Sequence, residues 1–198
     1  MFIVFEGIDG CGKSTQIVKF TEFIFNKDKG NHIILTREPY KSKEIREILK
    51  INEDPKEKSE KLTELFIEDR RKHIEEIINP ALNKNLIVIC DRYKYSTICY
   101  QAAQGIEIEK LVRLHKYMPV PDVIFIFDLP VDIAFERIKN DKNRKDEYKF
   151  EKNKEFLDKV RKNYLKMKKI FQNENIVIIN SNKTIEEIFE EIKSYFTI

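Results

Sequence analysis

The sequence predicts an α/β fold: a doubly wound, five-stranded parallel sheet with helices on both faces. Two observations predict it. Short apolar, β-branched runs recur along the chain, and longer stretches with apolar residues three and four apart lie between them. A parallel pair cannot be closed by a tight turn, so this alternation requires right-handed crossovers that cover both faces of the sheet.

The runs are residues 2–5, 33–35, 86–89, 123–127 and 176–179, read as five buried strands. After the first comes a Gly-rich loop and then the helical pattern Ile17, Phe20, Phe23, Ile24. A second helical stretch carries Leu62, Leu65, Phe66, Ile74, Ile77 and Ile78 and is closed by Pro80. Residues 141–149 mix charges densely between two helical patterns and read as a short lid. There is no internal repeat and no Gly/Ser linker, so residues 1–198 are expected to form a single domain.

Composition removes several function classes. Lys+Arg 37 against Asp+Glu 34 leaves a net charge of +3 with both signs mixed, which is not a nucleic-acid footprint. No apolar run approaches the roughly 20 residues needed to span a bilayer, and the first residues carry no basic leader, so a soluble, cytoplasmic protein without membrane partners is expected. Cys11, Cys90 and Cys99 are odd in number and lack metal-ligand spacing with His32, His73 or His115; free thiols and no structural zinc are expected.

In open α/β sheets ligands bind beyond the carboxyl ends of the strands. The first such loop, Gly7-Ile8-Asp9-Gly10-Cys11-Gly12-Lys13-Ser14-Thr15, fits G-x-x-x-x-G-K-[ST] between a strand and a helix. Only five glycines occur in the chain, and three of them fall within these six positions, 7 to 12. Glycines let backbone N–H groups turn around phosphate oxygens, the helix N-terminus adds positive potential, Lys13 neutralises β/γ charge and Ser14 can ligate Mg²⁺. The loop reads as a cradle for ATP.

The third run ends in Asp91, either the acid of the magnesium shell or a helix N-cap; Arg92 directly after it adds an anion clamp and favours the former. Arg70 falls in the apolar line Leu62, Phe66, Arg70, Ile74. By pattern alone it snorkels to solvent or pairs with Glu68 or Asp69. A guanine-selecting Asn-Lys-x-Asp is not supplied by Asn180-Ser181-Asn182-Lys183, which argues against a GTPase.

Together the loop 7–15, Arg37-Glu38-Pro39, residues 65–70, Asp91-Arg92-Tyr93, residues 96–101 and Pro121-Asp122 resemble the thymidylate kinase family, in its order and across nearly the whole chain. The resemblance implies ATP-dependent phosphorylation of dTMP to dTDP, for dTTP synthesis, in a homodimer. It implies that Phe66 stacks on thymine, that Arg70 donates to its O4 and that Thr97 addresses N3. Asp9 would hold the 3′-hydroxyl, Tyr100 would crowd a 2′-hydroxyl, and Arg37 with Arg92 would manage the acceptor phosphate. Lys41 is a further candidate phosphate contact, and Arg137 matches the family arginine that packs on adenine. Two stretches depart from the family pattern: Tyr40-Lys41 stands where many members have glycines, and Tyr100-Gln101 is followed by Ala102-Ala103.

A phosphomonoester has a second pKa near 6, so the acceptor already offers an anionic oxygen at neutral pH and catalysis reduces to alignment and charge neutralisation. The catalytic set is then Lys13, Asp91, Arg92 and a further cation. The resemblance implies that this cation comes either from the loop or from the lid; Gly10 and Cys11 supply no charge, so by the resemblance it falls to the lid sequence Lys142-Asn143-Arg144-Lys145, with Arg144 preferred. The alternatives are a kinase for another pyrimidine monophosphate and a P-loop regulatory NTPase.

Overall fold

The computed structural model describes residues 1–50, 58–140 and 153–196. The elements run β1 (Phe2–Gly7), α1 (Lys13–Lys27), β2 (Ile33–Arg37), α2 (Lys43–Lys50), α3 (Ser59–His73), a π-helical turn (Ile74–Ile78), α4 (Asn79–Asn83), β3 (Ile87–Asp91), α5 (Lys94–Ala103), α6 (Ile108–Leu114), β4 (Val123–Asp128), α7 (Val131–Asn140), α8 (Lys154–Ile170), β5 (Ile176–Asn180) and α9 (Ile185–Ser194). All five strands pair in parallel in one sheet of order β2-β3-β1-β4-β5, the predicted class. The chain goes to one side of β1 for β2 and β3 and to the other for β4 and β5, so the crevice opens at the carboxyl end of β1.

Position in that order explains the strand sequences. β1, β3 and β4 are flanked on both sides and covered on both faces, hence their unbroken apolar runs. β2 lies at an edge and is only half covered: Leu35 is 54% exposed, so residues 33–35 are not the buried strand expected. Phe5 sits at the centre of the core, with ring centroids 5.8 Å from Phe20, 5.5 Å from Phe125 and 5.8 Å from Phe127. Each such ring contributes about 1.5–3 kcal/mol by burial, and Phe20 thereby clamps α1, and the loop before it, onto β1.

The helix expected to close at Pro80 continues to Asn83. Asn79 N–H bonds back to the Ile74 carbonyl, five residues away, so the register has already widened before Pro80, which enters in the first turn of α4 where its missing N–H is tolerated. The expected lid, 141–149, lies outside the described residues.

Candidate active site

The loop after β1 is shaped by glycines at two points of close approach. Gly7 has φ +139° and a Cβ there would stand 2.7 Å from the Phe127 carbonyl oxygen; Gly10 has φ +78° and its Cβ would stand 2.6 Å from the Ala134 carbonyl oxygen. Both contacts press the loop against the end of β4 and against α7. Lys13 is 6% exposed, and its ammonium donates to the carbonyls of Gly7 (3.0 Å) and Ile8 (3.0 Å) and contacts Cys11 Sγ at 3.6 Å. No carboxylate pairs with it among the described residues, so a buried cation faces the loop with only neutral partners, an arrangement that attracts a polyanion. Ser14 and Thr15 are exposed in the first turn of α1. Gly10→Ala is expected to lower affinity for ATP at least about tenfold, since a left-handed residue with a Cβ costs about 1–2 kcal/mol before the clash is counted; titration with a fluorescent ATP analogue checks it.

Across from the loop stands Arg92, whose own backbone is left-handed at φ +70°. Its guanidinium bonds Asp9 Oδ1 at 2.8 Å and Ser96 Oγ at 3.1 Å, reaches Tyr164 Oη at 3.4 Å and lies over the Tyr100 ring. Tyr100 Oη donates to Asp9 Oδ2 at 3.4 Å. Beneath them lies Glu6, fully buried in β1. It accepts from Tyr93 N–H (2.7 Å), Ser96 N–H (3.2 Å), Ser96 Oγ (2.6 Å) and Tyr164 Oη (2.9 Å). Burial pushes its carboxyl above the ordinary range, against the Arg92 charge and these donors. Glu6 thus ties β1, the start of α5 and α8 into the platform on which Arg92 rests.

Asp91 is the last residue of β3, opposite Phe5 on one side and Arg37 on the other. It is not the helix cap, which is Tyr93. Its Oδ1 is buried and has no hydrogen-bond partner among the described residues. An orphaned acid oxygen at the carboxyl edge of the sheet fits a hard cation. Among the described residues no three His, Cys, Asp or Glu gather to hold a metal.

Beside this edge a cavity of about 290 Å³ is lined by Asp9, Arg37, Arg92 and Tyr100, by Phe66, Arg70 and Thr97, and by Arg46 and Gln101. Arg70 is 1% exposed, which excludes snorkelling. Its Nε donates to Glu38 Oε2 at 2.7 Å, Nη2 to Thr97 Oγ1 at 2.8 Å and to the Tyr93 carbonyl at 3.2 Å, and Nη1 bonds His115 Nε2 at 2.8 Å. Glu38 Oε1 in turn meets His73 Nδ1 at 3.1 Å. The acid beside Arg70 in sequence, Asp69, is used elsewhere: it accepts the backbone N–H groups of Tyr40, Lys41 and Ser42 and fixes the turn after β2.

A family model described as thymidylate kinase matches residues 5–192. The chain belongs to the thymidylate kinase family. It is 41% identical to the thymidylate kinase of Fervidobacterium nodosum, over 99% of this chain and 98% of that one. It is 40% identical to a probable thymidylate kinase of Pyrococcus horikoshii over 96% and 93%, and 40% identical to the thymidylate kinase of Thermosipho africanus over 98% and 96%. As a thymidylate kinase family member the chain is a nucleoside monophosphate kinase with ATP as phosphoryl donor.

The structure gathers Asp9, Arg37, Phe66, Arg70, Arg92, Thr97 and Tyr100 around one cavity. Lys41 is not among its lining residues: its ammonium pairs with Glu76 at 2.5 Å and lies over the Tyr40 ring. Arg137 reaches the Ser181 carbonyl at 3.2 Å and would lie 3.9 Å from a Cβ at Gly12, so α7, the loop after β5 and the phosphate-binding loop do meet. Arg144 lies outside the described residues. Sequence reading missed Glu6, Glu38, His73, His115 and Arg46 in this thymidylate kinase fold. For Glu6 the signal was an acid inside an apolar strand run.

Proposed function

We propose that this chain transfers the γ-phosphoryl group of ATP to dTMP, with dTMP in the cavity between Phe66 and Arg92 and the ATP phosphates on residues 7–15. The observation that carries the reading is one cavity that gathers the Phe66 ring, the Arg70–Thr97 pair and the Arg37 and Arg92 guanidinium groups, the first three read as one end and the last two as the other, beside a loop whose buried lysine has no acid partner among the described residues. A pyrimidine fits the first end. Thr97 Oγ1 has two lone pairs: one accepts from Arg70, and the other is available to the N3–H of a 4-oxo pyrimidine. Arg70 then donates to O4, and Phe66 covers the ring face. Asp9 and Tyr100, linked to each other, occupy the sugar region, where they hold the 3′-hydroxyl and leave little room for a 2′-hydroxyl.

At the other end Arg37 and Arg92 bind the acceptor phosphate, and the Asp9 contact with Arg92 ties sugar recognition to the phosphate clamp. Lys13 takes up charge on the donor, Arg137 packs on the adenine side, and Arg144 supplies a lid cation. Asp91 and Ser14 would hold Mg²⁺, which when bound would neutralise charge on the donor phosphates. The acceptor is already anionic, so no general base is required; the protein orients the phosphates in line and excludes water.

Coupled ADP release with Mg²⁺-ATP and dTMP, dUMP, UMP, CMP, AMP or no acceptor tests this. Stimulation is expected to be greatest with dTMP and next with dUMP, the missing methyl costing about 1–3 kcal/mol. Stimulation led by CMP or AMP would remove the roles given to Phe66, Arg70 and Thr97. Homodimer formation and a cytoplasmic location belong to the same proposal. Light scattering should give about twice the 23.8 kDa chain mass.

A further inference from the structure

We propose that His115 is a positioning residue that holds the Arg70 guanidinium in the orientation by which the site selects a 4-oxo over a 4-amino pyrimidine. The inference rests on the base-reading role just proposed for Arg70 and adds the group that fixes it.

The imidazole's protonation is set by its neighbours. His115 Nδ1 lies 2.7 Å from the Leu111 carbonyl oxygen, an acceptor only, so Nδ1 carries the proton. Nε2 lies 2.8 Å from Arg70 Nη1, a donor only, so Nε2 must present its lone pair. The ring is therefore neutral, in one tautomer, and 1% exposed. An imidazolium would set N–H against N–H and cation against cation. Burial, then the Arg70 charge, lower its pKa to about 3, so the ring stays neutral through the working range.

Among the described residues the partners of Arg70 account for four of its five N–H hydrogens: Nε–H on Glu38, the two on Nη2 shared among Glu38, Thr97 and the Tyr93 carbonyl, and one on Nη1 with His115. One Nη1 hydrogen is left for a ligand in the cavity that Arg70 lines. Glu38, Thr97 and Tyr93 engage the Nε and Nη2 sides. Among the described residues His115 is the partner of Nη1, the nitrogen that carries the remaining hydrogen. With that nitrogen fixed as a donor, a carbonyl oxygen at the pyrimidine 4-position is accepted, while an amino group there meets N–H with N–H. Without His115 the guanidinium keeps its charge pair with Glu38 but loses the restraint on Nη1, and discrimination falls more than catalysis.

The test compares His115→Leu with His115→Gln, whose amide oxygen can present an acceptor where Nε2 stands. Full steady-state constants are measured for dTMP, dCMP and ATP, beside melting temperatures. For His115→Leu the ratio of kcat/KM between dTMP and dCMP is expected to fall about tenfold or more, through KM for dTMP, with KM for ATP unchanged. His115→Gln should restore most of the ratio. An unchanged ratio in folded His115→Leu, an equal loss toward ATP and both acceptors, or a folded His115→Gln that has lost selection overturns the role. Should His115→Leu fail to fold, the His115→Gln result decides alone. Arg70→Ala with wild-type acceptor selection would instead overturn the base-reading role of Arg70, which separates the two failures.

Discussion

Replacing Lys13 with alanine is expected to lower kcat for dTMP phosphorylation by about 10²–10³-fold or more, the loss seen when a preorganised charge or donor is removed from a developing anion. The ammonium is buried, and among the described residues its partners are two carbonyl oxygens and a thiol. Such a cation gains most when phosphate charge shifts toward the leaving group, so the loss should fall on kcat more than on KM for ATP. Stability should move the other way. A buried ammonium without an acid partner is costly, and its removal should leave the melting temperature unchanged or raise it. Stopped-assay kinetics and a thermal melt on the same preparation check both; a kcat within about fivefold of wild type would take Lys13 out of the transition state.

The contrast between Lys13 and Arg70 shows which parts of this site a sequence discloses. The phosphate-binding loop is local: nine consecutive residues carry strand end, glycines, lysine and helix start, and no distant partner is needed to interpret them. The position of Asp91 and Arg92 at the carboxyl edge of the sheet was legible for the same reason, since an apolar run followed directly by an acid and an arginine is also local. The support of Arg92 was not. Glu6 is visible as an anomaly in an apolar run, but its donors come from α5 and from Tyr164, 158 positions away.

Arg70 was placed correctly on the apolar face of α3 and given the wrong neighbours by pattern alone. Residues one and two positions away point off that face, so Glu68 and Asp69 were poor partners on helical geometry. Glu38 arrives through the β2–β3 register, in which Arg37 lies opposite Asp91 and carries the next residue over the end of β3. His73 and His115 seemed unrelated at 42 positions apart, yet both bond the Glu38–Arg70 pair. The exposed face of β2 was likewise beyond reach: Ile33, Ile34 and Leu35 look like any central run, and only strand order makes them an edge.

That buried pair leads to the second large effect. Arg70→Ala is expected to destabilise the fold by about 3–5 kcal/mol, because it strands the Glu38 carboxylate in the interior. Glu38 is 4% exposed, and among the described residues its side-chain partner beyond Arg70 is His73 at 3.1 Å. A loss of that size is a large share of the roughly 5–15 kcal/mol that holds a domain of this kind together. Selection for dTMP should vanish as well, so stability and recognition must be separated. Glu38→Gln together with Arg70→Ala does so. The double variant removes the stranded charge and should recover stability relative to Arg70→Ala alone, a coupling of about 1–3 kcal/mol in denaturant titration. It should recover no preference for dTMP, since the donor to O4 is still missing. Additive stability losses would mean that Glu38 is not charged beside Arg70, and that the pair does not hold α3 to β2 by charge.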